Sequence, residues 1–317
     1  MKLIRFEKWF FDILTEKKEY IILYYTCMEF LGFRVLYMDI DMGQFIEADN
    51  DPPFHKYNSK LKVLERDGKT FHTDRGKISI DQDHSTLILS HPGTDIHLHI
   101  KPEKPSDEEP AGLIIGKINK QYLKWKTVYL KCLVTGKIII GNNELVVKDI
   151  GYADYVISTF NPMKVPVRTL YWGRLHMDQL DLSFSYVEGK DKTQKWHVMI
   201  MHKAGKTIQM NQMLLKEIKS IFYEDLDFAI PDSYLVEAWD DSLQLKLSIH
   251  HHYPAIKSSF IDNPEKLGRI GRRILKKISR NPRGIKFFSS AQLEITDKGK
   301  KEVLQCPLMI DEFVVFS

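Results

Sequence analysis

The chain has 317 residues, with 46 Lys plus Arg against 42 Asp plus Glu and a formal net charge of +4. That near-balance excludes a dedicated polybasic nucleic-acid binder. A content of 43% apolar and 28% charged residues excludes a chain disordered along most of its length. At about 100 to 200 residues per domain, the length predicts two domains, each able to bury its own core.

The opening segment, MKLIRFEKWFFDIL, has no apolar run of signal-peptide length and no small-residue cleavage site. No stretch reaches the roughly 18 apolar residues of a membrane span. Cys27, Cys132 and Cys306 lie far apart, which argues against a disulfide framework and against a cysteine-built zinc site. The expectation is a cytoplasmic protein with reduced thiols.

Along the chain, short runs rich in β-branched and aromatic residues predict strands at Tyr20–Cys27, Leu61–Glu65, Ser85–Ser90, Ile96–Ile100, Lys137–Gly141 and Leu243–His250. Turn clusters such as Arg66-Asp67-Gly68-Lys69 and Gly141-Asn142-Asn143 separate them. Many strands at short spacing predict an all-β sandwich or barrel. One helix interrupts the pattern at Pro264–Ser279, where Asn263 can cap and Leu267, Ile270, Ile274 and Ile278 recur at helical spacing.

Two segments read as linkers, Lys101–Gly112, with three prolines and four acids, and Thr159–Val167, with Pro162 and Pro166. A weak internal repeat favours the second as the domain boundary. Aligning Trp9 with Trp172 lays Ile21, Leu23 and Tyr25 over Phe184, Tyr186 and Glu188. The expected organisation is one barrel over residues 1–158, a linker over 159–167 and a second barrel over 168–317.

Several motifs then fall in a familiar order. Glu7-Lys8-Trp9-Phe10-Phe11-Asp12 resembles the Glu-Trp-Trp-Tyr-Phe-Asp opening of the carotenoid hydratase (hydroxyneurosporene synthase) and AttH group of lipocalin-like proteins. Val134-Thr135-Gly136, Gly151-Tyr152-Ala153-Asp154-Tyr155, Tyr171-Trp172-Gly173-Arg174 and Ile310-Asp311-Glu312-Phe313-Val314 follow in that group's order. The resemblance implies two tandem lipocalin-like antiparallel β-barrels (the calycin type) and a hydrophobic pocket. Relatives hydrate a carotenoid alkene, close the chroman ring of tocopherol, or fold a polyene for a Diels-Alder cyclisation. It therefore implies an apolar polyene or isoprenoid substrate handled with no cofactor.

The departures are informative. The family motif Gly-Tyr-His-Asp-His-Asn-Trp-Gly is here Gly151 to Ser158 with Ala153 and Tyr155 in place of the histidines. A hydratase needs a positioned acid and a base near neutrality, the role histidine fills most naturally. Asp154 is the ionisable group left in this stretch. Tyr152 and Tyr155 flank it as hydrogen-bond donors, with structural roles at a strand end or in a core as the alternatives.

Trp172, Arg174 and His176 alternate, so on a strand they share one face. There the indole could stabilise positive charge and the guanidinium could hold a carboxylate or enolate. The alternative is a Trp closing a barrel base with an Arg stacked across it, which applies to Trp9 as well. His97 and His99, and His250 and His252, have strand spacing that permits a metal, but no third ligand stands out, so no metal is expected. No phosphate loop, dinucleotide fingerprint or nucleophile-elbow serine is present.

Between Lys257 and Lys286 ten Lys or Arg stand against Asp262 and Glu265, so that segment carries +8 and the remainder −4. A basic amphipathic helix suits peripheral contact with a membrane, or equally an apolar stripe docked on a barrel.

The leading expectation is a cyclase or pericyclase-like enzyme that holds a hydrophobic small molecule between or within the barrels. Asp154, Tyr155 and Arg174 would be its catalytic residues, and Tyr152, Trp172, His176 and Trp9 would bind the substrate. The alternatives are a non-catalytic carrier of a hydrophobic ligand at the membrane surface, and an alkene hydratase with a rebuilt acid and base.

Overall fold

The structure is a computed structural model and describes all residues except 1–3, 15–18, 31–32, 45–54, 68–69, 80–83, 92, 103–111, 119–120, 161–164, 225–227, 260–281 and 317. Among the described residues it is all strand and turn. The chain divides into two compact units, Met1–Phe160 and Asn161–Ser317. The expected helix at Pro264–Ser279 lies outside the described residues, as do most of the acidic Lys101–Gly112 segment and part of the Thr159–Val167 linker.

The first unit holds β1 (Ile4–Leu14), β2 (Glu19–Phe30), β3 (Phe33–Gln44), β4 (His55–Leu61), β5 (Val63–Asp67), β6 (Thr70–Thr73), β7 (Gly76–Ser79), β8 (Ser85–His91), β9 (Thr94–Pro102), β10 (Gly112–Ile118), β11 (Gln121–Ile140) and β12 (Asn143–Ser158). They form one curled antiparallel sheet in the order β4-β3-β2-β1-β12-β11-β9-β8-β7-β6-β5, with β10 pairing to β11. The predicted strand Leu61–Glu65 is in fact the junction of β4 and β5, broken at Lys62. Its backbone N–H donates to the Asp74 carboxylate.

The second unit holds β13 (Val167–Met177), β14 (Leu180–Gly189), β15 (Lys195–Lys203), β16 (Lys206–Met210), β17 (Gln212–Tyr223), β18 (Phe228–Trp239), β19 (Leu243–Ser259), β20 (Pro282–Asp297) and β21 (Lys300–Phe316). Their order is β16-β15-β14-β13-β21-β20-β19-β18-β17. In both units the first strand pairs with the last, and the two ends of the sheet are consecutive strands, β4 with β5 and β16 with β17. Each unit is thus a meander curled into a lipocalin-like half-barrel, with its seam between two strands that adjoin in sequence.

Alternation along each strand sets the interiors. Phe11, Ile13, Ile21, Leu23 and Tyr25 face one core. Leu182, Phe184, Tyr186, Leu245, Leu247 and Ile249 face the other. Burying each such side chain contributes about 1.5–3 kcal/mol, so two separate cores of this size hold two separate units.

The internal repeat holds at the level of strand order but not at the tryptophans. Trp9 belongs to the first core, whereas Tyr171, not Trp172, belongs to the second. Because strand side chains alternate with period two, aligning the tryptophans puts one inward and one outward.

Candidate active site in the C-terminal barrel

The inward side chains of the second barrel are largely apolar and aromatic, and a buried carboxylate stands among them. Asp311 sits on the inner face of β21, opposite Gly173 of β13 and Phe287 of β20, with a side chain only 2% exposed. Three side chains from three strands donate to it. The Ser289 hydroxyl donates to Oδ1. The Tyr234 phenol reaches Oδ2 at 2.8 Å and His251 Nε2 reaches the same oxygen at 2.6 Å. Each donor occupies an inward position in an apolar run, so the network comes from polar residues placed at core parity. His251, for example, continues the stripe Leu243, Leu245, Leu247 and Ile249 along β19.

The imidazole is fixed on all sides that the structure describes. Its ring stacks face to face on Phe287, with centroids 3.8 Å apart and planes 5° apart, and meets the edge of Tyr234 at 5.6 Å. Nε2 is held by the Asp311 carboxylate, so the neutral ring carries its proton there and its lone pair on Nδ1. Nδ1 is buried and has no hydrogen-bond partner among the described residues. Burial, reinforced by the Asp311 charge and hydrogen bond, pushes the Tyr234 phenol well above its ordinary range, so it stays a donor. A histidine oriented by a carboxylate with its other nitrogen available can accept a proton, hold it as an ion pair, and return it.

The residues singled out by sequence fall elsewhere. Trp9 is buried in the first core against Phe71 at 5.3 Å and Tyr155 at 5.2 Å. Tyr155 is pushed up to about 12 by burial and then by the nearby Glu7 carboxylate. Glu7, itself 1% exposed, is clamped by Arg5 and by Arg66 at 3.3 Å. Asp154 is buried too, at 6% exposure, but pairs with Phe10 on the opposite face of β12, together with Tyr152. Adjacent strand residues point to opposite faces, so of the two flanking tyrosines Tyr152 shares the side of Asp154 and Tyr155 faces the first core. The Tyr152 hydroxyl lies 3.4 Å from that of Thr127.

In the second unit Trp172, Arg174 and His176 share a face as expected, but it is the face turned away from the barrel core. Both faces of β13 are buried there, and Arg174 is 2% exposed. His176 Nδ1 is 2.8 Å from Asp181. Lys286 lies over the Trp172 ring at 5.0 Å, and its ammonium is 2.6 Å from Glu312.

Of the histidines weighed for metal binding, His97, His99, His250 and His252 are exposed, and the central His251 turns inward. Among the described residues no group of three or more His, Cys, Asp or Glu is placed to hold a metal. All three cysteines are buried and outside any disulfide.

No family model matches the chain, and no curated protein matches it by sequence. Solved structures do match by fold. A protein assigned as AttH from Nitrosomonas europaea aligns over 99% of this chain and 93% of its own, with TM-score 0.61 and 11% identity. CghA in complex with Sch210972 aligns over 100% and 89%, with TM-score 0.66 and 11% identity. Kievitone hydratase from Nectria haematococca aligns over 98% and 89%, with TM-score 0.55 and 9% identity. At such identities the likeness is one of fold, and the fold of this chain is the tandem lipocalin-like pair of barrels that these proteins share.

Proposed function

We propose that this protein is an enzyme of the lipocalin-like cyclase and hydratase type. It would take an apolar small molecule of the polyene or isoprenoid class through a cyclisation, without a cofactor. His251 moves the proton at Nδ1, and Asp311, Tyr234 and Ser289 hold the ring and its tautomer. The observation that carries this reading is the His251–Asp311 pair, a buried and hydrogen-bonded acid–base pair set among the apolar core residues of the second unit. Folding the substrate into its reactive conformer supplies the rest of the acceleration. The shared fold with CghA and with a hydratase supports the reaction class.

Hydration is the second reading, and the same pair favours it. The resemblance expects histidines where this chain has Ala153 and Tyr155, and His251–Asp311 provides a base from another strand. Asp154 and Arg174, both buried and ionisable, remain candidate assisting groups on the other faces of their sheets.

Mass spectrometry of molecules copurifying with the native protein identifies the ligand class. Turnover of that substrate by His251→Asn should fall about 10²–10⁴-fold, the usual worth of a positioned acid–base group. Unchanged turnover in this variant would reject His251 as the proton carrier. Replacing Asp154 and Arg174 one at a time apportions any assisting role. Oxygen from labelled water entering the product selects hydration over cyclisation.

A further inference from the structure

Side chains on the inner face of a barrel strand are ordinarily buried, and β17 departs from this over its second half. Its inner face runs through Met213 and Leu215 to Glu217. Past the bulges between Glu217 and Ser220 it continues as Ile221 and Tyr223, paired with the inward Ile230 and Phe228. Met213 is 5% exposed, yet Ile221 is 40% exposed and Glu217 is exposed as well. β17 is also the end strand of its sheet. Inward-facing residues that solvent reaches, on a strand at the seam, mark a mouth. It leads to the candidate site, since Tyr223 meets Phe287 edge-on at 6.3 Å and Phe287 stacks on His251.

A carboxylate stands in that mouth. Glu217 accepts the Tyr171 phenol at Oε1 and the Ser220 hydroxyl at Oε2, the latter at 3.3 Å. Among the described residues the cations beside it are already engaged: Lys216 with Glu237 at 2.9 Å, Lys219 with Asp232 at 2.9 Å, and Arg168 with Glu188 at 2.7 Å. Beyond Phe287 and His251 stands the buried Asp311. A ligand bearing a carboxylate or phosphate would meet the Glu217 carboxylate at the mouth and Asp311 inside, where burial leaves little water to screen it. Ile221, Tyr223 and Phe287 favour an uncharged apolar body.

We propose that Glu217 is a specificity-determining residue, through which the C-terminal barrel admits a neutral apolar molecule along the seam beside β17 and rejects one with an acidic head group. This rests on the reading of the barrel as an apolar-ligand site, and it narrows that ligand to the neutral class.

All-trans-retinol and all-trans-retinoate, which share a polyene body and differ in head charge, test it on the full chain by quenching of tryptophan fluorescence at pH 8. Retinol should bind at least ~10-fold more tightly than retinoate, the scale of one like-charge contact. Glu217→Gln should bring the two within about 2-fold by tightening retinoate alone. Tyr171→Phe, which keeps the charge, should preserve the discrimination. Bound retinol should slow carbethoxylation of His251 by diethyl pyrocarbonate. Equal affinities in the unaltered protein, or a ratio that Glu217→Gln leaves unchanged, would overturn the role of Glu217 while leaving the apolar site standing. Failure of retinol to bind at all, or binding that leaves His251 unprotected, would overturn the site and the inference together.

Discussion

His251 and Asp311 divide the chemistry of the candidate site, one offering a lone pair and the other a fixed charge. The cost of separating them is therefore specific. Asp311→Ala leaves Ser289, Tyr234 and His251 Nε2 as buried donors without their acceptor. Breaking a buried charged network from one side costs about 3–5 kcal/mol. Urea unfolding should show that loss with an unchanged slope, whereas His251→Asn should lose activity with much less stability. A second residue-scale prediction concerns Gly136, which has φ of +139° and whose added Cβ would stand 1.9 Å from the His97 carbonyl. Gly136→Ala should destabilise the β9–β11 ladder by more than the ~1 kcal/mol of an ordinary glycine replacement, measurable as faster amide exchange in that strand pair.

At the scale of strands, two titrations carry signed predictions. Tyr155 on β12 is raised to about 12 by burial and the Glu7 carboxylate, above its unfolded value of 10.0. The stability it contributes is complete below pH 10 and is lost as pH rises from 10 towards 12. Alkaline unfolding should therefore begin in that window and shift upward in Tyr155→Phe. His197 on β15 is lowered from 6.5, first by burial and then by the charge of Lys195. Its contribution is present above pH 6.5 and is lost as pH falls through the lowered value. Its imidazole resonances should titrate below the 6.5 of an unperturbed imidazole. At this scale the sequence is readable where patterns are local. Tyr20–Cys27, Ser85–Ser90, Ile96–Ile100 and Leu243–His250 lie within β2, β8, β9 and β19, because alternation of apolar and polar residues is itself the signature of a half-buried strand. The junction at Lys62 escaped, because an apolar run does not show where hydrogen bonding changes partner.

For the whole molecule, the net charge of +4 is the sum of a +8 segment, Lys257–Lys286, and a −4 remainder. We propose that the basic run of this segment, Lys266 to Arg280, docks on anionic lipid, whereas Lys286 is held against Trp172 and Glu312. Binding to vesicles with a fifth of their lipid as phosphatidylserine should be measurable at low ionic strength and fall as salt approaches ~0.15 M, where the Debye length is about 8 Å. Absence of binding at low salt would remove the membrane from the account. By itself the sequence determined the all-β class and the strand alternation. Through motif order it also carried the resemblance to lipocalin-like barrels, with no sequence match to confirm it. The candidate site was only half legible. The stripe Leu243, Leu245, Leu247, Ile249, His251 already turned His251 inward, but nothing local tied it to Asp311, 60 positions away. Likewise the alternation of Trp172, Arg174 and His176 gave their common face, and only the curled sheet decided that this face lies outside the barrel core. The physical reason is that side-chain parity is a property of one strand, whereas inside and outside are properties of the curled sheet. A hydrogen-bond network drawn from β18, β19, β20 and β21 exists only once all four have been paired.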